Sequence, residues 1–134
     1  MASRDKKDLH HILVQAYDLA CARYKELYPN DPQPFLTCTF RSNEEQTELY
    51  AKGRTKAGKI VTQAKAGQSA HNYNPSFAFD IGFVNPITKK LDWNQKLFKT
   101  FAACIKQFSS VVECGADWKF LDLPHFELRG WKTW

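Results

Sequence analysis

From Asp5 to Tyr28 the apolar residues Leu9, Ile12, Leu13, Ala16, Leu19, Ala20, Tyr24 and Leu27 recur mostly at steps of three and four, which predicts an amphipathic helix. Pro29-Asn30 ends it, and the following DPQP reads as a loop. Phe35 to Phe40 (FLTCTF) is rich in aromatic and β-branched residues and predicts a strand. Ser42-Asn-Glu-Glu45 then has the form of a capping box, opening a second helix that should run to about Lys52 and stop at Gly53.

Gly53 to Gln68 is polar, Lys- and Gly-rich and without periodicity, so a long exposed loop is expected, of the kind that often serves as a functional lid. Phe77 to Phe83 (FAFDIGF) predicts a strand, Asn85 to Lys90 a turn, and Leu91 to Trp93 a short extended piece. Asn94 opens a third helix whose stripe is Leu97, Phe98, Phe101, Ala102, Ile105 and Phe108. Val111 to Cys114 and His125 to Leu128 are the remaining strand candidates. Helix and strand blocks are mixed with no repeat, linker or low-complexity tract, which predicts a single α+β domain over residues 1–134.

Size and composition agree with that reading. A chain of 134 residues, 43% hydrophobic and 14% aromatic, can bury roughly two thirds of its unfolded surface without staples. No stretch approaches the roughly twenty apolar residues of a membrane span, so stable membrane insertion is not expected. The first twenty residues lack the apolar segment of a secretory signal, so synthesis in the cytoplasm is expected. Cys21, Cys38, Cys104 and Cys114 show no CxxC spacing and read as reduced thiols, with Cys21 and Cys104 as core residues. The net charge of +5 points to a polyanionic partner, which could be nucleic acid, a membrane surface or an anionic cell envelope. No nucleic-acid motif accompanies the lysines.

The chemistry lies in two short segments, SAHNYNPSFAFD at Ser69 to Asp80 and DLPHFEL at Asp122 to Leu128. Two imidazoles and a carboxylate can bind Zn²⁺ and leave a fourth position for water, and His71, Asp80 and His125 are the choice for those ligands. His10 and His11 are adjacent in the first predicted helix, where their side chains diverge and cannot readily share a metal. Asp80 is the only acid between Lys52 and Asp92, and it interrupts an apolar strand, where a lone buried carboxylate would be costly. Spacing alone leaves a second reading open, in which both histidines are ordinary surface or hydrogen-bonded residues. The base is open on local grounds as well. Asp122 precedes Pro124 in a turn that could fold over the metal, whereas Glu127 shares a strand face with His125.

SAHNYNPSFAFD, GADW (Gly115 to Trp118), DLPHFEL and the upstream FRSNEEQTELYAKGR (Phe40 to Arg54), in that order, resemble the zinc peptidase family of VanX- and VanY-type D-Ala-D-Ala peptidases and phage L-alanyl-D-glutamate endolysins. The likeness spans about Phe35 to Leu128 and is closest to the phage endolysin members. It implies a hedgehog/D-Ala-D-Ala-peptidase-like domain, a small antiparallel sheet packed with about three helices. It also implies His71, Asp80 and His125 as Zn²⁺ ligands, Asp122 as catalytic base, and Arg41 facing the cleft toward a substrate carboxylate or the developing oxyanion. The chain departs from the family in its longer connection between His71 and Asp80, which contains Asn74-Pro75-Ser76.

The activity implied is hydrolysis of the L-alanyl-D-glutamate bond of peptidoglycan by a monomer that reaches the wall after a separate factor permeabilises the membrane. Host lysis by a bacteriophage endolysin, with antimicrobial action, is the corresponding biology. A D-Ala-D-Ala carboxypeptidase or dipeptidase is the alternative within the same chemistry. A non-catalytic zinc-stabilised wall-binding module is the alternative outside it.

Overall fold

A computed structural model describes residues 2–134. Its main elements are α1 (His11–Leu27), β1 (Gln33–Cys38), α2 (Asn43–Ala51), β2 (Ala78–Val84), α3 (Gln95–Phe108), β3 (Val112–Cys114) and β4 (His125–Leu128). The strands form one antiparallel sheet in the order β1-β2-β4-β3. The expected α+β architecture is therefore present.

The first helix is shorter than its apolar periodicity predicts. Asp5 caps a separate 3₁₀ turn at Lys6–Asp8, and His10 caps α1 by accepting the Ile12 N–H at Nδ1. Side-chain acceptors at these two positions compete with a continuous helical ladder. His10 thus stands outside the helix, stacked on His11 with ring centroids 4.5 Å apart. The buried face is Leu13, Ala16, Tyr17, Ala20 and Tyr24, whereas Leu19 and Leu27 are exposed. Tyr17 turns inward because its ring meets Phe79 edge-on at 5.4 Å.

Strand β1 starts two residues earlier than predicted, since Gln33 and Pro34 pair with Val84 and Phe83. A proline is tolerated there because β1 lies at the sheet edge. It also ends earlier, as Thr39 and Phe40 leave the sheet to bond with Ser3. The α2 capping box is complete, with Ser42 Oγ accepting from Glu45 N and Glu45 Oε1 accepting from Ser42 N. Of the extended piece predicted at Leu91 to Trp93, only a bridge from Leu91 to Val84 forms.

One sheet face makes the core. Phe79, Ile81 and Phe83 of β2 and Phe126 and Leu128 of β4 are fully buried against α1 and α3. Phe79 stacks on Phe126 at 5.1 Å, and Phe101 of α3 meets Phe126 edge-on at 5.5 Å. Alternation along a strand sends the intervening residues to the opposite face. Those residues include Asp80, His125 and Glu127. The tail folds back as a 3₁₀ turn at Trp131–Thr133, with Trp131 stacked on Phe77 at 6.2 Å.

Candidate metal centre

Strand register creates the site. Asp80 is paired with His125 on β4 and, past a bulge, with Cys38 on β1, so three chemically able side chains converge across neighbouring strands. His71 arrives from a 3₁₀ turn, Ala70–Asn72, in which Ser69 Oγ accepts the His71 N–H and Asn72 Oδ1 accepts the Ser69 N–H. The longer connection after His71 does not displace Asp80. Its extra residues lie against the amino-terminal segment, where Ser76 N donates to Asp8 O and Ser76 O accepts from His10 N.

Asp80 Oδ1 sits 3.2 Å from His71 Nε2 and 3.0 Å from His125 Nδ1. Neighbouring tetrahedral ligands at zinc–nitrogen and zinc–oxygen distances would stand about 3.3 Å apart, and each of these two spacings is close to that value. The outer nitrogens are also held. His71 Nδ1 lies 2.7 Å from the Thr39 carbonyl, and His125 Nε2 lies 2.8 Å from Glu127 Oε1. Such partners leave the inner nitrogens free to act as ligands.

Among the described residues, Cys38, His71 and Asp80 are the group whose donor atoms all lie within 4.8 Å of one another and could hold a metal ion; His125 is not part of it. Cys38 Sγ approaches His71 at Nδ1, 3.6 Å away, the nitrogen that already faces Thr39 O. Using that nitrogen would require the Thr39 bond to break. Nothing in the linear sequence placed Cys38 here; its approach follows from the β1–β2 register.

Without a metal, the cluster is an ion network. Burial opposes charge on His71 and His125, but the Asp80 carboxylate outweighs it and raises them to about 10 and about 9, with Glu127 assisting at His125. Burial likewise opposes ionisation of Asp80, yet the two imidazoles hold its carboxyl well below the usual range. About one fifth of the Asp80 side chain remains accessible, so the cluster opens to a cleft.

That cleft is lined by Arg41, Leu49, Val61, Thr62, Ser69, His71, Asp80, Asp122 and His125. Arg41 follows β1, and its Nη2 lies 3.9 Å from Asp80 Oδ2. Asp122 stands on the rim as an exposed residue. Enough protein surrounds its carboxyl for lost hydration to raise its pKa, against the opposing pull of His125. Gly115 fixes this rim: its N-terminal neighbour ends β3, its carbonyl accepts the Asp122 N–H, and a Cβ on it would collide with the Asp122 carbonyl. Glu127 is turned to His125 and does not line the cleft. Trp118 packs 5.3 Å from the His125 ring and donates from Nε1 to Glu113.

The chain is 36% identical over 137 aligned positions to the peptidoglycan L-alanyl-D-glutamate endopeptidase CwlK of Bacillus subtilis, a match covering 90% of this chain and 74% of the relative. The chain belongs to the VanY-like zinc peptidase family, which has L-alanyl-D-glutamate endopeptidase members. In this family's fold, the L-Ala D-Glu endopeptidase ChiX of Serratia marcescens superposes with a TM-score of 0.71 at 21% identity, covering 99% of this chain and 92% of that one. No protein-family model matches the sequence. Of the residues singled out from sequence, His71, Asp80, His125, Asp122 and Arg41 all meet at this one cleft. Two that sequence reasoning missed or set aside, Cys38 and Gln46, touch Arg41 directly.

Proposed function

We propose that the chain is a zinc-dependent peptidase that hydrolyses the L-alanyl-D-glutamate bond of peptidoglycan stem peptides. The observation that carries the proposal is one carboxylate oxygen, Asp80 Oδ1, set between His71 Nε2 and His125 Nδ1 at the floor of a cleft that also holds Asp122 and Arg41. Kinship with an enzyme of that name supports the choice of bond.

His71, Asp80 and His125 would hold the ion. When bound, zinc would supply Lewis acidity that activates a water for attack. Asp122 receives the proton of the attacking water and returns it to the leaving amine. Arg41 presents its guanidinium to the oxyanion or to a substrate carboxylate. Glu127 keeps the His125 ring turned so that Nδ1 faces Asp80.

A lytic role, with the wall reached after a separate factor opens the membrane, is the biological form of this proposal. The net charge of +5 favours approach to an anionic wall. Digestion of purified peptidoglycan by the zinc-loaded protein tests the chemistry. New amino termini on D-glutamate are expected, and release of D-alanine alone would replace this reading with the carboxypeptidase one. Metal analysis of the same sample should find zinc, and an active protein free of metal would overturn the metallopeptidase mechanism.

A further inference from the structure

Helix α2 buries a single residue, and that residue is Gln46, which is 0% exposed. An apolar side chain is the ordinary occupant of such a position, because a buried amide is costly unless its atoms are bonded. Both ends of this amide are bonded. Oε1 accepts from Arg41 Nη1 at 3.0 Å and from Asn72 Nδ2 at 3.4 Å, and Nε2 donates to the Ala64 carbonyl at 2.7 Å. Ala64 lies two residues beyond Thr62, part of the cleft wall, and Thr62 Oγ1 accepts the Ala64 N–H at 3.1 Å. Asn72 reinforces the arrangement by donating to Arg41 O and accepting from Gly67 N.

We propose that Gln46 is a positioning residue of the cleft: its oxygen aims the Arg41 guanidinium, and its nitrogen pins the Thr62–Ala64 wall. A single buried amide thereby ties the loop over residues 53–68 to the cationic group that faces the substrate. The inference rests on the peptidase reading for its kinetic consequence, and on geometry alone for its structural one.

The amide's two ends can be separated by substitution. Gln46→Leu removes both bonds, whereas Gln46→Glu keeps an acceptor for Arg41 and sets an oxygen against the Ala64 carbonyl. The experiment compares both variants in wild-type and Arg41→Ala backgrounds for kcat, KM, zinc content and amide hydrogen exchange over residues 62–68. Gln46→Leu is expected to lower kcat/KM by about 10- to 100-fold with zinc content unchanged. In the Arg41→Ala background the same change should alter kcat by less than about threefold, because the group it acts through is gone. Gln46→Glu should hold kcat within about threefold of wild type while raising KM, and both variants should exchange faster at the loop amides.

An equal kcat loss in both backgrounds, or wild-type kinetics for Gln46→Leu, overturns the proposal. If Gln46→Leu does not fold, Gln46→Glu decides, and a collapse of kcat in the folded, zinc-loaded protein overturns it. Wild-type protein that cleaves no peptidoglycan defeats the peptidase reading instead. The exchange measurement then still tests whether Gln46 holds the loop.

Discussion

Asp122 and Glu127 are both carboxylates within three residues of His125, and their surroundings separate them. Glu127 directs Oε1 to His125 Nε2 at 2.8 Å, while Asp122 faces the cleft with a pKa raised by partial loss of hydration of its carboxyl. Asp122→Asn is therefore expected to lower kcat by at least about 100-fold with zinc retained, as for loss of a general base. Glu127→Gln is expected to weaken zinc affinity by about 10- to 100-fold while leaving kcat at saturating zinc near wild type. Paired metal titrations and kinetics on the two variants check this, and the reverse pattern would make Glu127 the base. Local sequence patterns left these two open, because the choice depends on where a turn sends one side chain and whether a strand neighbour occupies the other; the family resemblance favoured Asp122. Asp80 was legible earlier, since an isolated acid in FAFDIGF needs a compensating partner wherever that strand lies.

At the scale of elements, the sequence signals that survived were the local ones. The Ser42 capping box, the Asn94 cap and the α3 stripe need only neighbours in the chain, and each forms with the boundary expected to within a residue or two. The α1 start moved because Asp5 and His10 cap locally, with Ser76 O also taking the His10 N–H, and the β1 ends moved because Gln33 and Pro34 pair with β2 while Thr39 bonds to Ser3. The same dependence on distant segments explains why Cys38 and Gln46 were not read as site residues. Gly115 shows the converse, a motif residue whose purpose becomes visible only in contact. Its missing side chain lets the turn after β3 accept the backbone of Asp122. Gly115→Ala is expected to push the Asp122 rim outward and lower kcat by about tenfold or more, as positioning losses do. Zinc binding is expected to weaken with it, since the Asp122 carbonyl that a Cβ would displace also accepts the His125 N–H at 3.0 Å. Comparable kinetics for the variant would show that the rim does not position the base.

Across the whole molecule, the sheet divides labour between its faces. The aromatic core lies against α1 and α3, and the ionic cluster lies on the other side, so the fold does not depend on a metal for its hydrophobic burial. What the cluster contributes to stability then depends on pH, and the sign follows from its protons. His71 and His125 have folded pKa values of about 10 and about 9, above the ordinary 6.5, so in metal-free protein their contribution is complete below about pH 6.5. It is lost as pH rises through 9 to 10, where the imidazoles lose their protons and Asp80 keeps its charge without compensation. A metal ion held between the two imidazoles would take the place of those protons, and its binding would be favoured as they leave. The gap in Tm between zinc-saturated and chelator-treated protein should therefore widen steadily from pH 6.5 to pH 9, with proton release accompanying zinc binding at pH 7. Thermal unfolding at matched pH values, with calorimetric titration in buffers of different ionisation enthalpy, measures both. A constant gap and no released protons would mean that the metal binds somewhere other than between these two histidines.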